Sequence, residues 1–103
     1  MKNFHRTSVL PDVALAEADA FFPTIGMKQT AATHRTRRFE GSVGEPGDQV
    51  TLDLIVKMEG GHYTFVEAQT SAMGESRLDR GVKNYLTRLH KIAEPRYALS
   101  ASY

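Results

Sequence analysis

Asp53 and Glu67 are the residues in this chain best placed for chemistry. They occupy polar positions of two apolar-rich runs, 50–58 and 62–70, separated by Gly60-Gly61. Paired carboxylates on adjacent strands suit a hard divalent cation such as Mg²⁺, which prefers oxygen ligands and keeps several waters. Two carboxylates on a hairpin also suit plain solvation at the surface. A second set is basic. His34, Arg35, Arg37 and Arg38 fall in one run, and Arg77, Arg80, Lys83, Arg88 and Lys91 in another. Arginine makes bidentate contacts to phosphate, so such sets suit nucleic acid or an acidic protein face.

Other chemistries lack their residues. There is no cysteine, hence no thiolate nucleophile, disulfide framework or cysteine-based metal site. His5, His34, His62 and His90 show no ligand spacing, and Ser71, Ser76 and Ser100 lack a nucleophile-elbow context. Gly41, Gly44 and Gly47 fall in a turn between strands, where no helix follows to receive a phosphate. Metal chemistry would therefore rest on Asp53 and Glu67.

The run around Asp53, Glu67 and Gln69 resembles the core of the PD-(D/E)XK, restriction-endonuclease-like nucleases. The resemblance spans about residues 50–90. It implies that Asp53 and Glu67 bind Mg²⁺, and that Gln69 stands where the family's catalytic lysine falls. The element order α-β-β-β-α also resembles, in topology alone, a double-stranded-RNA-binding domain.

The elements that would position these residues follow from patterning. The chain has 103 residues, 41% of them hydrophobic and 24% charged, and a formal net charge of +1. One α+β domain over 1–103 is expected. Residues 1–9 carry no period and read as a loose arm. Residues 11–22 are alanine-rich behind Pro11, which predicts a helix ending before Pro23. Thr30 to Val43 reads as one strand, and residues 44–48 as a turn.

Val50, Leu52, Leu54, Val56 and Met58 alternate with Thr51, Asp53, Ile55 and Lys57, which predicts a half-buried strand. With residues 62–70 it forms a hairpin. A three-residue loop over 59–61 would put Asp53 opposite Glu67 and leave both sheet faces apolar enough to need cover. A two-residue loop would send the carboxylates to opposite faces. Leu78, Val82, Tyr85, Leu86, Leu89 and Ile92 predict an amphipathic helix over 75–94. Residues 96–103 read either as a final strand or as a frayed tail, so the expected sheet has three or four strands, packed with two helices. Tyr63, Phe65, Tyr85, Phe21 and Phe22 are expected in the core.

The charge is segmented. Residues 28–40 carry +3 (Lys28, Arg35, Arg37 and Arg38 against Glu40). Residues 41–72 carry −4 (Lys57 against Glu45, Asp48, Asp53, Glu59 and Glu67). No apolar run approaches the ~20 residues of a membrane span, and a cytoplasmic protein is expected. The leading expectation is a non-enzymatic binding module without a cofactor. Its surface joins Arg35, Arg37 and Arg38 to Arg77, Arg80 and Lys83. The alternatives are a reduced Mg²⁺-dependent nuclease-like domain and a homodimer paired through a sheet edge.

Overall fold

Pro11 opens the first helix with a fixed φ and no wasted N–H, and Asp12 adds a carboxylate to the first turn. The computed structural model describes residues 2–42, 49–61, 63–71 and 76–93. In it α1 spans Pro11–Phe21. It tightens into a 3-10 turn, Phe22–Ile25, with Pro23 near its start and Gly26 closing it at a φ of 93°. Only a residue tolerant of the left-handed region closes a helix this way at little cost.

Five strands follow a simple order. They are β1 (Lys2–Thr7), β2 (Met27–Ala32), β3 (Thr36–Gly41), β4 (Val50–Glu59) and β5 (Tyr63–Thr70). The second helix, α2, spans Arg77–Ala93. All pairings are antiparallel, and the sheet runs β1-β5-β4-β3-β2. The chain is thus a small α+β domain, and among the described residues the sheet's two edges are its first two strands.

The sheet has five strands among the described residues, more than patterning indicates. Residues 2–7 are a paired strand rather than a loose arm, with His5 opposite Val66. The run from Thr30 to Val43 is split between β2 and β3. The turn between them is built by threonine: the Thr33 hydroxyl accepts from the Arg35 and Thr36 amides at 3.4 and 3.2 Å. Residues 43–48 and 94–103, including the expected turn and final strand, lie outside the described residues.

Both helices cover one face of the sheet. Leu52, Leu54, Val56, Val66, Ala68 and Phe39 point into that layer and are fully buried. Against them pack Ala14, Leu15, Ala18, Leu78, Val82 and Leu89. Phe22 is the hub, with ring centroids 5.1 Å from Phe39 and 5.2 Å from both Phe21 and Tyr85. The Tyr85 hydroxyl donates to the Ala14 carbonyl at 2.7 Å, which ties α2 to α1. Burial and the nearby Glu17 and Asp19 carboxylates push the Tyr85 phenol far above its ordinary value.

Two aromatic expectations fail. Tyr63 is 55% exposed and Phe65 is only half-buried, both on the face without helices. Their parity in β5 opposes that of Thr64 and Val66, so they cannot turn inward.

Candidate functional site

The hairpin register differs from the one that a loop over 59–61 would set. The loop begins at Gly60, and Glu59 pairs with Tyr63, shifting the pairing by two residues. Gly60 and Gly61 take φ of 63° and 75°, which the loop requires. A shift of two keeps each residue on its face, so Asp53 and Glu67 still share one side. Asp53 now faces Gln69, and Glu67 faces Ile55. The carboxylates are diagonal neighbours, and Asp53 accepts from Arg38 Nη1 at 3.1 Å. Among the described residues no three His, Cys, Asp or Glu side chains converge as a metal site.

The strand arginines are held within the molecule. Arg37 donates from Nε to Asp19 at 3.0 Å and from Nη1 to the Thr33 and Thr36 carbonyls. It clips the β2–β3 turn to α1. Arg35 lies 3.7 Å from Asp12. Arg38 sits on the opposite face of the sheet, between Asp53 and Glu40. Alternation along β3 forces this split. The cleft of about 280 Å³ between α1 and the turn is lined by Asp12, Asp19, Thr33, His34 and Arg37. Its charges are already matched.

The helix arginines are different. On α2 the outward residues include Arg77, Arg80, Lys83, Arg88 and Lys91, all exposed. At 100° per residue Arg77, Arg80, Arg88 and Lys91 fall within an arc of about 80°, over about 21 Å of helix. The only acid of α2 is Asp79, which is fully buried. It receives Asn3 Nδ2 at 3.3 Å and the Lys83 ammonium at 3.0 Å, the i,i+4 pair that the spacing suggests. Arg88 pairs with Glu17 and lies 5.3 Å over the Phe21 ring. Arg77, Arg80 and Lys91 have no ion-pair partner among the described residues.

His5 lies on the inner face of β1. Its Nε2 is buried and makes no hydrogen bond among the described residues. Burial first, and the charge of His90 second, hold its pKa below the ordinary value of 6.5. The folded state therefore binds fewer protons than the unfolded chain, and stability should fall as pH drops below 6.5 through the folded value. Urea unfolding at pH 7 and pH 5 should show the loss, and His5→Leu should shrink it. An unchanged pH 5 to 7 slope in His5→Leu would assign the loss elsewhere.

No helix among the described residues is long and apolar enough to cross a membrane. No family model matches the chain, and no curated protein matches it.

Proposed function

We propose that this protein is a non-enzymatic module that binds nucleic acid through the outward face of α2. The observation that carries the reading is the one-sided charge of that helix. Five cations line its exposed face while its single acid is buried. A helix face that exposes no carboxylate of α2 itself attracts phosphates, and each phosphate neutralised releases counterions. Arg77, Arg80 and Lys91 lead, since they are free to turn to a ligand. Lys83 and Arg88 keep Asp79 and Glu17 as partners and add to the field. Arg35, Arg37 and Arg38 serve the fold.

Binding of labelled duplex and single-stranded oligonucleotides over a salt series tests this. Three to four neutralised phosphates give a log–log slope of about −3 on duplex DNA. Replacing Arg77, Arg80 and Lys91 by alanine should lower the slope toward about −1 and cost at least about tenfold in affinity at low salt. Absent binding, or binding indifferent to salt, would remove the reading. Salt-sensitive binding to an acidic protein alone would redirect it.

A further inference from the structure

We propose that the face of the sheet opposite the helices is a homodimer interface, in which two copies pack sheet on sheet around Phe65 and Ile55. Both helices lie on one side, so β1, β5 and β4 present a second apolar surface. Phe4 is 56% exposed, Tyr63 55% and Ile55 39%. Phe4 and Phe65 already touch, with centroids 5.6 Å apart. Arg6 and Lys57 lie 5.3 and 5.4 Å over the Phe65 ring from either side.

The charges on this face choose the occupant. Lys2, Arg6 and Lys57 are interleaved with Glu67, Asp53 and Glu59. A polyanion would meet the carboxylates. A surface with both signs fits another such surface, and a second copy supplies it. Arg6 and Glu59 already neutralise each other at 3.0 Å. Asp53 is held by Arg38, so Lys2, Lys57 and Glu67 are left, none with an ion pair among the described residues.

The register fixes the match. Lys57 pairs with Phe65 and Ile55 with Glu67, so these four residues form a rectangle on the sheet. Strand and residue spacings make it roughly 5 by 7 Å. A two-fold axis lying between the sheets, through the middle of this rectangle, exchanges its Lys57 and Glu67 corners. Each Lys57 then meets the partner's Glu67, twice by symmetry. Phe65 and Ile55 lie close to the axis and pack on their own copies, and Phe4 reaches the partner's Tyr63. The strands cross at a steep angle, within the orthogonal class of sheet packing.

The area suffices. Five strands of six to ten residues offer a footprint of about 500–600 Å². Side-chain relief brings this toward the ~800 Å² per partner of a stable interface. The molecule is a slab of 41 × 35 × 21 Å with the helices on one broad side, and stacking the other sides leaves both α2 faces outward.

Sedimentation velocity over about 5–200 µM, the range in which interfaces of modest area assemble, decides the matter. The expected mass is twice 11.5 kDa. Lys57→Glu and Glu67→Lys should each weaken the dimer at least about tenfold, and the two together should restore it to within about threefold. Phe65→Glu should give a monomer with an unchanged far-ultraviolet spectrum. A monomer at the highest concentration would overturn the proposal. So would a dimer indifferent to both charge reversals, or one that keeps its mass in Phe65→Glu and loses it in Thr30→Pro on the β2 edge.

Discussion

Phe22→Ala is expected to cost about 3–5 kcal/mol in urea unfolding. The ring is fully buried and touches three other rings, from α1, β3 and α2. Removing it takes away apolar burial and leaves a cavity that no single element can close. Phe39 is held by strand pairing on both sides, and Tyr85 by its hydrogen bond to Ala14. Neither can move in without losing its own contact. Against a total of about 5–15 kcal/mol the loss is a large fraction. The melting temperature should fall by about 15 °C or more. Val13→Ala, on the exposed side of α1, should change stability by less than about 0.5 kcal/mol. A Phe22→Ala cost below about 1 kcal/mol would show that the aromatic cluster is not where the layers meet.

Sequence patterning locates the parts of this fold that carry their own signal. Alternation from Val50 to Met58 marks β4, and the 3–4 spacing from Leu78 to Ile92 marks α2, each set by one element's burial alone. β1 escapes because its inward residues, Asn3, His5 and Thr7, are polar. It is a strand because β5 needs a neighbour. The β2–β3 turn escapes because Thr33, His34 and Arg35 include no glycine, proline or asparagine. A threonine hydroxyl and the Arg37 guanidinium do the work there, and the acceptors they need come from folding.

The candidate site divides the same way. The basic stripe of α2 is legible in part: helical spacing joins Arg77, Arg80 and Lys83, and the folded helix adds Arg88 and Lys91 to the same exposed side. The strand arginines look similar in sequence, yet their fate depends on Asp12 and Asp19 from α1 and on Asp53 from β4. Charge in one dimension does not reveal which cations meet an acid in three. Faces of the hairpin are set by parity and are legible. Its register depends on how two glycines fold, and a shift of two residues leaves the hydrophobic pattern intact.

Gly41→Ala is expected to be the most damaging change of a single methyl group, at about 2–4 kcal/mol. Gly41 pairs with Met27 on one side and Val50 on the other. A Cβ built there lies 2.3 Å from the Gly26 carbonyl oxygen and 3.2 Å from the Met27 Cα. Both are backbone atoms, so β2 would have to move away. Gly26 closes the turn after α1 and Met27 is 2% exposed, so that movement would disturb the turn and the core together. Gly81→Ala is the control. Its Cβ meets only the Ile25 Cδ1, at 2.7 Å, which is the tip of a flexible side chain. Alanine also recovers about 1 kcal/mol of helix propensity. The two effects oppose, and the net change should stay within about 1 kcal/mol. Thermal and urea unfolding of both variants should rank Gly41→Ala far below Gly81→Ala. Equal stabilities would mean that the β2–β3 pair is looser at Gly41 than its backbone contacts require.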